Sequence, residues 1–162
     1  MLVEQLTASQ CNELLDRMHF GRLGCVHENR PYVVPIYFAY EPGRLYGFST
    51  LGRKIEWMRS NPRVCVEVDE VLGAKSWNCV IIDGQYEELS NLPKYLSARK
   101  RAYELLDRRF LGWQAAYAAE QLRHASQPSP TILYCIRIEE MSGRSSRPDR
   151  FDAAPAQQRM SV

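Results

Sequence analysis

Long apolar runs are absent. No stretch approaches the roughly 18 consecutive apolar residues that cross a bilayer, and the opening MLVEQLTASQ has neither the basic region nor the apolar centre of a secretory leader. A chain neither exported nor embedded in a membrane is therefore expected. Net charge is also scarce, with 21 Lys and Arg against 19 Asp and Glu for a formal +2. That is too little to imply a nucleic-acid or membrane partner, which would show a clustered basic stripe. The three histidines, His19, His27 and His124, are isolated and share no HxxxH spacing, so no metal site is expected. The five cysteines, Cys11, Cys25, Cys65, Cys79 and Cys135, are odd in number, widely spaced and never a CxxC pair. They read as reduced thiols in a cytoplasmic setting rather than as a disulfide framework.

What is present is the make-up of an ordinary globular domain. With 162 residues, 45% hydrophobic and 25% charged, the chain is long enough for one core and too short for two. Apolar residues thin out from Ser142, where Arg, Ser, Pro and Gln take over. A domain over residues 1–141 and a flexible tail over 142–162 are expected.

Thr7 followed by Gln10 has the form of a capping box, with Leu6 and Cys11 placed as a staple, and Cys11, Leu14, Leu15 and Met18 recur at helical spacing. From Phe20 the texture changes to short runs rich in β-branched and aromatic residues, separated by turn formers. They read as strands over about 22–27, 31–40, 45–49, 63–69, 77–87 and 131–139, with a short helix over 53–59. Pro31 and Pro35 cannot donate to a ladder, so their strand should lie at an edge or carry a bulge, and Gly84 marks a bulge. Residues 92–125 read as helical in two pieces, broken near Leu111-Gly112. The charges of Arg99, Lys100, Arg101, Arg108 and Arg109 interleave with Glu104 and Asp107 as on a solvated helix face. Glu67 and Asp69 read as a solvated or ion-paired strand face, and Tyr95, Tyr103, Phe110, Trp113 and Tyr117 as packing of the helices onto the barrel.

The segment Ser49-Thr50-Leu51-Gly52-Arg53-Lys54 ends a strand in two hydroxyls, then brings a glycine and two cations to the start of a helix. Hydroxyls, backbone N–H groups and cations aimed at one point suit a phosphate. The same residues also serve as a helix cap followed by solvated cations, and spacing alone favours that plainer reading.

Taken in order, Phe20-Gly21-Arg22-Leu23-Gly24, Pro31 to Tyr37, Tyr46 to Lys54, Asn61-Pro62-Arg63-Val64 and Trp77 to Gly84 resemble the pyridoxamine 5'-phosphate oxidase-like superfamily. The branch they are most similar to is the nitroimidazole-resistance and flavin-nucleotide-binding group. The resemblance spans roughly residues 5 to 140. It implies a mainly β fold with helices: a six-stranded antiparallel split β-barrel with flanking helices, working as a homodimer that holds FMN at the subunit interface. It further implies that Val33, Val34, Pro35 and Ile36 face the flavin ring with their backbone. Ser49, Thr50, Arg53 and Lys54 would then take the phosphate, and Phe48 or Trp77 would exclude water. Cys79 stands where resembling sequences commonly carry serine, and Phe48 where the nitroimidazole branch often has histidine, which argues against haem ligation. The tail does not resemble the arginine-bearing segment with which true pyridoxamine phosphate oxidases grip substrate.

The implied function is flavin redox chemistry on a small molecule, as an oxidoreductase or flavin reductase with no catalytic side chain of its own. A haem-binding or haem-degrading split barrel, a non-catalytic flavin-binding protein, and a deazaflavin in place of FMN are the alternatives.

Overall fold

The structure is a computed structural model that describes residues 2–112 and 130–148. In chain order the elements are β1 (Leu2–Leu6), α1 (Ala8–Arg17), β2 (Phe20–His27), β3 (Arg30–Tyr37), β4 (Ala39–Glu41), β5 (Arg44–Ser49), α2 (Arg53–Ser60), β6 (Arg63–Gly73), β7 (Ser76–Glu88), a 3-10 turn (Pro93–Tyr95), α3 (Leu96–Arg109) and β8 (Ile132–Arg147). The strands form one antiparallel sheet in the order β3-β2-β6-β7-β8-β5-β4, with β1 added on β8. Five of them, β2, β5, β6, β7 and β8, fall on strands expected from the sequence, and the strand expected over 31–40 is divided at Phe38 into β3 and β4, which lie at opposite ends of the sheet order. The remaining strand, β1, is too short and too polar to show a period.

The alternation of β6 sorts its side chains as expected. Val64, Val66 and Val68 enter the core, whereas Cys65, Glu67 and Asp69 stay half-exposed on the outer face. Leu23, Val66, Val80, Ile82 and Ile136 meet inside the sheet, closed at one side by Leu14 and Leu15 of α1 and by Ile55 and Met58 of α2. Each such side chain contributes about 1.5–3 kcal/mol on burial. A second cluster lies on the outer face beneath α3, where Ala102 and Leu106 cover Tyr46, Leu133 and Cys135.

Thr7 makes the expected capping box with Gln10. Leu6 and Cys11 converge on Gly143, whose missing Cβ would sit 2.5 Å from Cys11 Sγ. β3 lies at the end of the sheet, as its prolines require, and the β7–β8 register shifts between Asp83 and Gly84, the expected bulge.

Two boundaries differ from expectation. β8 runs on through Ser142 to Arg147, six residues that composition assigns to the tail. The extension is held by pairing with β7 on one side and β1 on the other, and Ser145 and Ser146 are buried. Ser146 Oγ donates to the Lys75 carbonyl at 3.1 Å. A strand satisfied in this way needs no apolar residues. The first helical piece is the 3-10 turn with α3, and it ends at Phe110 ahead of Gly112, which has φ +71°. The second expected piece, with Trp113, Tyr117 and His124, lies outside the described residues, as does most of the expected tail. Among the described residues no helix is long and apolar enough to cross a membrane.

Candidate functional site

The end of β5 and the start of α2 bring Ser49, Thr50, Arg53 and Lys54 to one place. Ser49 is buried, and its hydroxyl turns back to donate to the Thr50 carbonyl at 2.9 Å. α2 opens at Gly52, whose extended backbone would accept any residue, yet no side chain caps the helix there. The first-turn N–H groups therefore have no N-cap side chain to accept from them and are open to water or an anion. A Cβ placed on Gly52 would meet nothing within 4 Å, so open space lies directly before the helix mouth.

Lys54 sits on that first turn, half-buried. Burial is the cause that lowers its pKa, and no carboxylate of the described residues offsets it. A partly desolvated ammonium without an acid is an unfavourable arrangement that an incoming anion relieves. Arg53 points elsewhere. Its guanidinium lies over the Tyr32 ring at 5.2 Å and near the Trp57 ring at 6.0 Å. Tyr32 and Trp57 meet edge to face at 5.4 Å, and the His27 ring lies 5.5 Å from Trp57. His27 is held in turn by a 2.8 Å hydrogen bond between its Nδ1 and Ser60 Oγ.

Sequence reasoning missed this aromatic group. The i, i+4 spacing of Arg53 and Trp57 was the only local signal, and Tyr32 reaches them from a different element.

The other expected site residues are spread out. Val33 and Pro35 project outward from β3, Val33 being 64% exposed, while Ile36 is buried in the core. Phe48 packs against the cluster beneath α3. Trp77 and Cys79 lie at the far end of the sheet. Ser49 pairs with Ile132 on β8, and Cys79 pairs with Arg144, which separates them by about 40 Å of strand path at roughly 3.3 Å per residue. Cys79 Sγ donates to Glu67 at 3.6 Å, and its pKa is pushed up to about 11 by burial and then by Glu67. It is a neutral, weak donor at neutral pH. Glu67 and Asp69 share Arg22, with Glu67 at 2.9 Å, which is the ion-paired face expected of them.

Three of the basic residues of α3 act as struts. Arg99 donates to the Leu89 carbonyl, Arg101 bonds Glu41 at 2.8 Å, and Arg109 donates to the Asp16 carbonyl. A cavity of about 450 Å³ lies between α3 and the other end of β5, lined by Glu41, Arg44, Tyr46, Lys94 and Arg101 among others. The Glu41 carboxylate there is already taken by Tyr46 and Arg101.

Among proteins of known sequence, the profile of the pyridoxamine 5'-phosphate oxidase family matches residues 7–145. An uncharacterised protein of Rhizobium meliloti is 32% identical over 146 residues, covering 90% of this chain and 97% of that one. The crystal structure of a FAD-binding protein of Mesorhizobium loti superposes with a TM-score of 0.73 at 40% identity, covering 91% of this chain and 99% of that one. A FAD-binding protein of Mycobacterium smegmatis shares the fold at a TM-score of 0.62 and 20% identity, over 89% of this chain and all of the other.

Proposed function

This chain belongs to the pyridoxamine 5'-phosphate oxidase family, and on that premise we propose that it is a flavin-binding protein whose phosphate site is the mouth of α2. The observation that carries the reading is Lys54. It is a half-buried cation with no acidic partner among the described residues, placed at a helix start that no N-cap side chain closes and that opens onto free space. A flavin phosphate supplies the missing negative charge and accepts the free N–H groups. The FAD-binding of the Mesorhizobium loti protein, at 40% identity, supports a flavin as the ligand class. Ring, ribityl chain and first phosphate are common to FMN and FAD, so the α2 mouth serves either.

In this reading Lys54 and the first-turn amides hold the phosphate. The outward backbone of β3 around Val34 lines the ring, as the free edge of a sheet can do. A bound flavin supplies hydride and electron transfer, and the chain supplies binding, orientation and exclusion of water. Oxidoreductase activity on a small molecule is the function these roles fit, with no side-chain nucleophile needed.

The site is completed by a second copy of the chain in this proposal. Trp77 and Cys79 are too far along the sheet to reach their own α2 mouth, and the outer sheet face that carries them also exposes Val33 and Ile81. Titration of the apoprotein with flavin, followed by fluorescence quenching, tests the phosphate assignment. Lys54→Ala should weaken binding by roughly ten- to a hundredfold, the worth of a charge-assisted hydrogen bond. Unchanged affinity would remove the α2 mouth from the site.

A further inference from the structure

Arg44, Glu87 and Lys94 are charged side chains that neither the core nor the flavin site uses. All three line the cavity of about 450 Å³ between α3 and the far end of β5. Arg44 faces Glu41 across the β4–β5 ladder, but the Glu41 carboxylate is held by Tyr46 and Arg101. Its neighbour on β8 is a like charge, Arg137, which donates to Gln85 at 3.1 Å. Lys94 lies over the Tyr95 ring at 4.6 Å. Among the described residues, none of the three forms an ion pair. Below these charges the floor is apolar, made by the buried Tyr46, Leu89 and Cys135.

Glu87, Lys94 and Tyr95 also line an adjoining cavity of about 390 Å³. Ser90 lines it with them, and its Oγ is buried with no hydrogen-bond partner among the described residues. A buried hydroxyl left unpaired is uncommon in a folded protein and calls for a partner. Arg44 stands at the opposite end of β5 from Ser49, about 17 Å away at roughly 3.3 Å per residue. The two cavities are therefore separate from the α2 mouth.

We propose that they bind a free amino acid with an apolar side chain. A ligand of that class meets each unpaired group. Its ammonium faces Glu87, its carboxylate faces Lys94, Arg44 and the Ser90 hydroxyl, and its side chain lies on Tyr46, Leu89 and Cys135. A simple anion would leave Glu87 unpaired and be repelled by it, and a simple amine would leave both cations unpaired. An apolar floor with a few convergent polar groups is the usual make-up of a small-molecule site, and the larger cavity lies within the range of roughly 300–1,000 Å³ such sites span.

Isothermal titration of the protein as purified with phenylalanine, N-acetylphenylalanine and phenylalaninamide tests the proposal. Phenylalanine should bind, and capping either its amine or its carboxylate should weaken binding by roughly tenfold or more, the worth of a charge-assisted hydrogen bond. Glu87→Gln should erase the difference between phenylalanine and its N-acetyl form, and Lys94→Gln the difference between phenylalanine and its amide. Both side chains are exposed, so neither variant should alter the melting temperature. Capped forms binding as tightly as phenylalanine, preferences unchanged in the two variants, or no binding of any of the three at millimolar concentration would overturn the site. The visible spectrum of the same preparations reports on the flavin reading separately, since the α2 mouth is untouched by either variant.

Discussion

Lys54 is a residue whose burial works against its charge, a cost that a phosphate in the proposed site would return. Its pKa is lowered by burial, so the unfolded chain binds the proton more strongly than the folded one. Between the lowered folded value and the ordinary lysine value, stability of the free protein therefore rises with pH. If Lys54 meets the phosphate as proposed, flavin affinity moves the other way, because deprotonation removes that charge. Affinity measured from pH 7 upward should begin to fall below lysine's usual titration range near about 10.4, and Lys54→Met should flatten that fall. A profile identical in wild type and variant would place the phosphate elsewhere.

At Gly47 the constraint is steric rather than electrostatic. A Cβ there would lie 2.5 Å from the ring of Tyr134, which is 1% exposed and cannot swing away. Gly47→Ala should cost about 1–3 kcal/mol by urea denaturation, as overpacking of a filled core does. Neither effect shows in the sequence. Ser49 to Lys54 could be recognised there as a phosphate-type turn, but the burial of Lys54 and the ring above Gly47 depend on residues far away in the chain.

At the scale of elements, α2 is the piece that joins fold to site. Its inner side anchors Ile55 and Met58 in the core, and its mouth is left without a cap. Replacing Gly52 by Asp should add a capping acceptor and raise apoprotein stability by about a few tenths of a kcal/mol. It should also weaken flavin binding by roughly tenfold or more, by placing a carboxylate where the phosphate belongs. Thermal melts of the free protein read the first effect and flavin titration the second. Stronger binding in Gly52→Asp would contradict an anion at this helix.

Elements with an apolar period were legible: β2, β6, β7, the first half of β8, and α1 with its capping box. The second half of β8 was not, because Ser142 to Arg147 is a polar segment held by two neighbouring strands. The aromatic group of Tyr32, Trp57 and His27 was not legible either, since its members come from β3, α2 and β2 and meet only after the sheet forms.

For the whole molecule, the ordered set of motifs carried the family, and the sheet order β3-β2-β6-β7-β8-β5-β4 places their residues. It separates them into two groups. Ser49, Thr50, Arg53 and Lys54 share one corner, whereas Trp77 and Cys79 stand at the other end of the sheet. A single site containing both groups requires two chains, which is why oligomeric state belongs to the functional account. Analytical ultracentrifugation should give about twice the 18.8 kDa chain mass. A monomer that still binds flavin at full affinity would show that Trp77 and Cys79 take no part.

The most direct measurement is the visible absorption spectrum of the freshly purified protein, followed by mass identification of the small molecule that heat releases. The account predicts flavin bands and a released flavin nucleotide. A Soret band, or a colourless protein that leaves the fluorescence of added FAD and FMN unquenched, would contradict it.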